Sequence, residues 1–241
     1  RGVLDFVILE KADRVGGTWR ENTYPGAACD VPSHLYSFSF EPNPRWSRTY
    51  GAQAEILAYL ERCADKYGLR PHLTFGAEVV SATWDAAAAR WVVGLRGGRT
   101  LRGRALILGN GALHVPMVPD LPGLDDFAGK RFHSATWDHG YPLAGKRVGV
   151  IGTGASAIQI VPELAKVAGA LDVFQRTAPW ILPKPDRPVS AREQWVLSRV
   201  PGAHWLRRAA LYWSIEARAI GFVHAPRLLE LGEKVALAHL T

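Results

Sequence analysis

Cysteines, metal-type histidine pairs and long apolar runs are scarce or missing in this 241-residue chain. Cys29 and Cys63 are its two cysteines, too few for a disulfide framework. The eight histidines are scattered singly, whereas zinc-binding helices carry pairs spaced i and i+4. No run of about 18 apolar residues predicts a membrane span, and no secretion signal opens the chain. We therefore expect a cytoplasmic protein that holds no metal.

Charge of one sign is in excess but is not concentrated in one segment. The formal net charge is +7, and the lysines and arginines are spread along the chain. Clustered basic residues would favour nucleic acid or an anionic membrane, because their binding releases counterions from phosphates. Spread charges are typical of a solvated surface that also binds anionic nucleotides. We expect no nucleic-acid partner and no membrane association, and the oligomeric state stays open.

Strand-like and helix-like periodicities alternate along the first half of the chain, which is typical of an α/β protein. The predicted elements are a buried strand over 3–10, a helix over 54–67 that ends at Gly68, hairpin strands over 78–84 and 91–95, and a buried strand over 104–108 closed by Gly109-Asn110-Gly111. The small residues of the last turn would let the backbone approach a ligand. A proline-rich stretch over 115–123 then marks a domain boundary.

The second half contains a strand, a glycine turn, a helix and another strand in that order. The predicted strands cover 146–151 and 171–175, and the helix between them covers 155–167. This order is one βαβ unit of a doubly wound fold. Beyond Pro179-Trp180 the spacing is helical to the end, with prolines that break it into pieces.

The turn Gly152-Thr153-Gly154-Ala155-Ser156-Ala157 fits the pattern G-x-G-x-x-G/A. The pattern alone is weak, but here it follows a predicted strand and opens a predicted helix. Backbone N–H groups at that helix N-terminus would face a pyrophosphate, where the helix dipole favours negative charge. An ordinary tight turn is the plainer alternative. We interpret all six residues as a dinucleotide-binding turn.

The residues at the ends of the two nucleotide-type strands differ in charge. Arg176 and Thr177 stand about 20 residues after the glycines, where an adenosine ribose is contacted. A guanidinium and a hydroxyl suit a 2'-phosphate, so this pair favours NADPH over NADH. Glu10 suits the ribose hydroxyls of a second dinucleotide such as FAD. Because only nine residues precede Glu10, either it is a solvated strand end or the chain has lost its first strand and phosphate loop.

These patterns predict an α/β fold with two Rossmann-like dinucleotide-binding domains, for FAD and NADPH, both incomplete. A β-hairpin insertion and a helical C-terminal segment would complete the chain. The expected divisions are a partial FAD-binding domain over 1–114 without its first phosphate loop, an interdomain linker over 115–143, a partial NADP-binding unit over 144–182 and a helical insertion over 183–241.

Two longer motifs are complete in this sequence. The pattern F-x-G-x-x-x-H-x-x-x-W-[P/D] is matched by Phe127, Gly129, His133, Trp137 and Asp138. The pattern [A/G]-G-x-W-x4-[F/Y]-P-[G/M]-x3-D is matched by Gly16, Gly17, Trp19, Tyr24, Pro25, Gly26 and Asp30. Both resemble the fingerprints of type I Baeyer-Villiger monooxygenases, within the flavin-containing monooxygenase superfamily. The resemblance continues to about Pro183.

The resemblance implies that NADPH reduces FAD, that the reduced flavin captures O2 as a C4a-peroxide, and that this converts a hydrophobic ketone to an ester or lactone. Asp30 would be the active-site carboxylate that orients the nicotinamide and an arginine. An aspartate that caps a turn before Pro32 is the alternative. Further residues expected to contact the cofactors are Gly17, Thr18, Trp19, Tyr36, Val79 and Gly111.

The resemblance also places His133 and Trp137 in a linker that couples flavin binding to nicotinamide binding, so both join Asp30 as catalytic candidates. His133 as a proton-transfer base is the sharper hypothesis, and a hydrogen-bonded structural histidine is the plainer one, which we favour. The first phosphate loop and the arginine partner of Asp30 are not in this sequence. We therefore expect the chain alone to bind FAD poorly and to turn over no ketone.

Two other functions stay open. A flavin monooxygenase that oxidises nitrogen or sulfur atoms shares the nucleotide folds, although its relatives carry Tyr or Phe in place of Trp137. A non-catalytic membrane-surface module is suggested by aromatic and basic residues near the end of the chain, namely Trp195, Trp205, Trp213, Arg192, Arg199, Arg207, Arg208 and Arg218. We expect instead an apolar face, packed on the nucleotide domains or lining a substrate path, made of Leu206, Ala209, Ala210 and Trp213.

Overall fold

The computed structural model describes residues 5–111, 115–225, 227 and 229–240. The chain divides into two compact units. One is formed by Arg1–Glu21 and Leu57–Lys130, and the other by Asn22–Ile56 and Arg131–Thr241. Both units combine strands with helices, so the α/β class predicted from the sequence is confirmed.

Strands and helices alternate along the described residues. The strands are β1 (Ile8–Leu9), β2 (Leu73–Thr74), β3 (Val79–Asp85), β4 (Arg90–Leu95), β5 (Thr100–Gly103), β6 (Arg147–Ile151) and β7 (Ala170–Phe174). The helices are α1 (Thr18–Glu21), α2 (Gln53–Lys66), α3 (Ala155–Leu164), α4 (Ala191–Arg199), α5 (Ala203–Glu216), α6 (Ala219–Val223) and α7 (Leu229–Leu240). None of these helices has the length and the apolar content needed to cross a bilayer.

Helix α2 confirms the periodicity over 54–67. Ile56, Tyr59 and Cys63 are buried at helical spacing, so one face of the helix packs while the other is solvated. Gly68 follows with a φ of +62°, the left-handed conformation that ends helices at glycine.

The first unit pairs β1 with β2 in parallel, with Ile8 opposite Leu73. The strand predicted over 3–10 is therefore much shorter than expected, and its positions 3 and 4 lie outside the described residues. A strand persists only where a neighbour supplies hydrogen bonds, and β2 offers two residues.

An antiparallel sheet of β3, β4 and β5 confirms the hairpin and adds a strand that the periodicity missed. Gly97 and Gly98 turn the chain into β5 with φ values of +91° and +87°. The short segment Thr100–Gly103 has little apolar alternation, so no strand was predicted there. Ala77, Val93 and Leu95 form the buried core of this sheet.

The buried strand predicted over 104–108 is wrong. Ile107 is 91% exposed and Leu108 is 75% exposed, and the backbone from 105 to 108 pairs with no other strand among the described residues. Leu106 alone packs against the core of the neighbouring sheet. An apolar run becomes a strand only beside a hydrogen-bonding partner, and the run itself does not reveal that partner.

The second unit contains the predicted βαβ unit. β6 and β7 are parallel and in register from Arg147 opposite Ala170 to Ile151 opposite Phe174. Helix α3 packs Ile160 and Leu164 into a core with Tyr24 and Ala27, and half-buried side chains of both strands contact the same core. Helices are also present in the C-terminal part, as predicted; Ser190 caps α4 by accepting a hydrogen bond from the Glu193 N–H (3.2 Å).

Candidate nucleotide-binding edge and active-site loop

The predicted dinucleotide turn lies at the carboxyl edge of the β6-β7 pair. Gly152 has a φ of +107° and donates its N–H to the Phe174 carbonyl (2.9 Å). Gly154 stands before the first turn of α3, and a Cβ placed there would meet no atom within 4 Å. No atom of the described residues therefore crowds the Cβ position of Gly154 at this helix N-terminus, where backbone N–H groups can bind an anion.

Arg176 and Thr177 follow β7 at the same edge. Because β6 and β7 are parallel and Ile151 is opposite Phe174, the residues after each strand emerge side by side. Both side chains are exposed. The structure thus brings the glycine turn and the predicted 2'-phosphate contacts together.

A side chain that no motif indicated ties the Asp30 segment to α3. The Gln159 amide accepts from the Ala28 N–H (3.2 Å), donates to the Ala28 carbonyl (2.9 Å) and accepts from the Tyr24 hydroxyl (3.1 Å). Gly26 has a φ of +81°, and a Cβ there would stand 2.6 Å from the backbone carbonyl oxygen of Gln159. The Pro25-Gly26 step of the second motif is therefore a close contact between the loop and the helix.

Asp30 itself is exposed, beside a buried cysteine. Cys29 donates its N–H to the Gly51 carbonyl (2.9 Å), and its Sγ accepts from the Val31 N–H (3.3 Å). Burial raises the pKa of the Cys29 thiol, and the Asp30 charge adds to this rise. The thiol is therefore a neutral anchor, and the Cys29 carbonyl accepts from Lys184 Nζ (2.8 Å).

Tyr36 lies on a tight turn that is held from two sides. On one side, Ser33 donates its N–H to the Thr49 carbonyl (2.8 Å). On the other, Arg208 Nη1 of α5 contacts the carbonyls of His34, Leu35 and Ser37 at 3.0, 3.1 and 3.1 Å. A guanidinium supplies the donors that the carbonyl end of such a turn requires.

The apolar face predicted for α5 is only partly present. Leu206, Ala210 and Trp213 are exposed and only Ala209 is half-buried, while the side that meets the loop carries His204 and Arg208. Ala209 and Trp213 line a shallow hollow of about 230 Å³ together with Leu35. Apolar periodicity missed the polar side because it cannot indicate which distant carbonyls need donors.

His133 and Trp137 flank the short turn Ser134–Thr136. His133 Nδ1 accepts the Ala135 N–H (3.1 Å), a capping contact. Trp137 meets the Phe132 ring edge-on at 5.1 Å and packs against the core that holds Tyr24 and Ile160. Both contacts are typical of residues with a structural role in a linker. That His133 and Trp137 couple flavin binding to nicotinamide binding stays a prediction.

Several predicted flavin contacts of the first unit lie beside a buried cation. Gly17 has a φ of +48° and precedes α1, which carries Thr18 and Trp19. Arg20, buried on the same helix, pairs with Glu21 (2.7 Å) and lies 3.5 Å from Glu10. Glu10 also accepts the Ala12 N–H (2.9 Å), so its carboxylate is held at the end of β1.

Two further predicted contacts lie elsewhere in that unit. Val79 begins β3 and is 43% exposed, next to an irregularity in the strand register. Gly111 is exposed with a φ of +71°. The roles of these residues at a flavin stay predictions.

A family profile described as flavin-binding monooxygenase-like matches residues 2–199 of the chain. A Baeyer-Villiger monooxygenase of Streptomyces coelicolor is 51% identical over 235 residues, which cover 98% of this chain and 45% of the relative. One of Pseudomonas aeruginosa is 49% identical over 239 residues, 99% of this chain and 45% of the relative. The chain thus spans less than half the length of the curated relatives it matches.

Solved structures show the same likeness in three dimensions. A cyclohexanone monooxygenase from Rhodococcus bound to NADP+ is 43% identical with a TM-score of 0.74, over 79% of this chain and 37% of that one. An oxidised steroid monooxygenase bound to NADP is 41% identical with a TM-score of 0.75, over 83% of this chain and 39% of that one.

Proposed function

Because the chain belongs to the flavin-binding monooxygenase-like family, we propose that it is the nucleotide-handling part of a Baeyer-Villiger monooxygenase. The reaction is ketone, O2, NADPH and a proton to ester or lactone, NADP+ and water. One observation carries this proposal: helix α3 opens at the glycine turn and, through Gln159, also holds the segment that leads to Asp30. A nucleotide bound at the turn and the Asp30 loop would therefore share one rigid support.

The residues at the β6-β7 edge fit NADPH. The Cβ position of Gly154 is uncrowded, as the approach of a pyrophosphate would require, and Arg176 and Thr177 supply a cation and a hydroxyl for a 2'-phosphate. In the first unit, the contacts proposed for FAD are Glu10, Gly17, Thr18, Trp19, Val79 and Gly111. When bound, NADPH supplies a hydride and FAD supplies the oxygen-activating chemistry.

The remaining tasks fall to side chains of the second unit. Asp30 would orient the nicotinamide and hold an active-site cation near it, because a carboxylate attracts a neighbouring cation. Tyr36, on the turn fastened by Arg208, is a proposed cofactor contact. His133 and Trp137 hold the linker geometry. The hollow beside Leu35 offers apolar contact to a hydrophobic ketone.

The test uses the natural protein, with any sequence that flanks these 241 residues. We expect NADPH oxidation stimulated by a hydrophobic cyclic ketone, with the matching lactone identified by gas chromatography and mass spectrometry. Asp30→Asn should lower lactone formation at least about tenfold, since one mispositioned catalytic group costs that much or more. Asp120→Asn, at an exposed position in the proline-rich stretch, is the control.

Sulfoxide from a sulfide without lactone from any ketone would favour the monooxygenase of nitrogen and sulfur atoms. Binding to anionic vesicles with no NADPH oxidation would favour the membrane-surface module.

A further inference from the structure

We propose that Lys184 is a positioning residue of the candidate active site: its ammonium group fixes the peptide that joins Cys29 to Asp30. The inference rests on the proposed function, in which Asp30 orients the nicotinamide. It concerns the stretch after Pro183, where the sequence patterns indicated only helices and breaks.

The ammonium group of Lys184 has two partners in the second unit. Nζ donates to the Cys29 carbonyl at 2.8 Å and lies 4.8 Å from the centre of the Tyr50 ring. A hydrogen bond from a charged donor is roughly twice as strong as a neutral one, and a cation over a tyrosine ring gains further attraction. These contacts fix the direction of the lysine side chain.

The accepting peptide is itself held on its other sides. Cys29 is 3% exposed, its N–H bonds the Gly51 carbonyl, and its Sγ accepts the Val31 N–H. The Lys184 bond supplies the partner of the Cys29 carbonyl. Rotation of the peptide before Asp30 would break this bond, so Lys184 restricts the backbone from which the carboxylate projects.

Lys184 is carried by a stiff and anchored segment. Pro183 and Pro185 flank it, and a proline restricts both its own φ and the conformation of the residue before it. Two residues later, Asp186 accepts from Arg48 Nε at 2.8 Å and from the Tyr50 N–H at 3.2 Å.

That anchor is charged over the ordinary pH range. Partial burial alone would raise the pKa of Asp186, but hydrogen bonds from Arg48, Thr49 and Tyr50 lower the pKa overall. A surface lysine that met a carbonyl by chance would not be expected on a segment anchored in this way. The segment is therefore built to hold one ammonium group in one place.

Lys184 and Asp30 also act on a common neighbour. The Asp30 charge raises the pKa of the Cys29 thiol, whereas the Lys184 charge lowers it. Both charges therefore lie close to the same sulfur atom. The geometric link between the lysine and the Asp30 backbone is the bond from Lys184 Nζ to the Cys29 carbonyl.

The first measurement follows amide hydrogen exchange of residues 29–36 in the natural protein, with any sequence that flanks these 241 residues. Lys184→Met keeps the aliphatic stem and removes the charge, and should speed exchange there about tenfold. Lys184→Arg should restore most of the protection. Lys146→Met is the matched control, because Lys146 also stacks on a tyrosine, 5.6 Å above Tyr141, in the same unit.

The second measurement follows flavin reduction by NADPH in the natural protein under stopped flow. Lys184→Met should lower the maximal rate of flavin reduction about tenfold, since the lysine acts on orientation rather than on binding. The NADPH concentration that gives half of this rate should change less than about threefold. In an Asp30→Asn background the same substitution should have little further effect, because the two residues act as one unit.

Unchanged exchange over residues 29–36 in Lys184→Met would overturn the inference, as would a full additional rate loss in the Asp30→Asn background. A loss of rate that Lys184→Arg does not recover would also count against it. The proposed function is judged separately: a wild-type protein that reduces its flavin with NADPH but forms no lactone would refute that function and leave the Lys184 result standing.

Discussion

Single polar side chains set the local geometry of the second unit. Gln159, Lys184 and Arg208 each bond backbone groups between residues 28 and 37, although all three are far from that segment in sequence. Backbone groups of a loop need partners when water cannot reach them. These side chains supply such partners. Replacing any of the three would therefore change the conformation of the loop, and would affect the reaction only through that change.

His34 is the buried titratable residue at the centre of this region. It is 1% exposed, and its ring lies 5.6 Å from that of His204. Burial, and then the charges of His204 and Arg207, lower its pKa from 6.5 to about 4, while Glu193 opposes them. His34 is therefore neutral in the folded protein at pH 7 and takes up a proton more readily when the chain unfolds.

The free energy of unfolding should consequently fall as the pH drops from 6.5 towards 4. The unfolded state binds the additional proton in this window, and the full effect is about 3 kcal/mol for a shift of this size. Urea titrations of the wild type and His34→Phe at a series of pH values check it. His34→Phe should show a flatter profile over the window, and equal slopes in the two proteins would contradict the assignment.

The βαβ unit supports a prediction about cofactor choice. Arg176 emerges beside the glycine turn, so Arg176→Ala should weaken NADP+ binding by roughly 30-fold, equivalent to about 2 kcal/mol for a lost charge-assisted bond. NAD+ binding should change little because NAD+ lacks the 2'-phosphate. Calorimetric titration of both nucleotides measures the difference.

Arg147→Ala is the matched control for this titration. Arg147 begins β6, at the opposite end of the strand from the glycine turn, and pairs with Asp172 at 2.9 Å. Its loss should leave NADP+ affinity unchanged. An equal loss of NAD+ and NADP+ affinity in Arg176→Ala would remove the basis for the NADPH preference.

Elements with a local signal were predictable from the sequence, and elements that depend on distant partners were not. The face of α2 and the turn at Gly152 follow from spacing and glycine conformation within a few residues. The strand expected over 104–108 failed because its pairing is non-local. The polar side of α5 was missed because Arg208 serves carbonyls of a turn more than 170 residues earlier.

The candidate site divides in the same way. The glycine turn, Arg176 and Asp30 carry motif signals, and the structure places the first two at one edge of a sheet. Gln159, Lys184 and Arg20 have no motif signal, since a lone polar residue is usually a surface residue. The position of Gln159 between two isoleucines of helix α3 was the available hint for it.

At the scale of the whole molecule, the residues proposed for the two nucleotides belong to different units. The glycine turn that starts at Gly152 belongs to the second unit, whereas Glu10, Gly17 and Trp19 belong to the first. We expect the natural protein, with any flanking sequence, to bind NADP+ and FAD each at about one per chain. Calorimetry and visible flavin absorbance after desalting measure both, and a protein that binds NADP+ but stays colourless would contradict this.

The Gln159 contact also governs how such proteins can be recombined. Residues 22–56 moved from this protein into a relative with another side chain at this helix position would lose the two bonds that Gln159 makes with the Ala28 N–H and carbonyl. Any residue larger than glycine at position 26 would press against the helix backbone. The loop over 22–56 and helix α3 should therefore be exchanged together. Chimeras that take the loop from one protein and the helix from another should misfold.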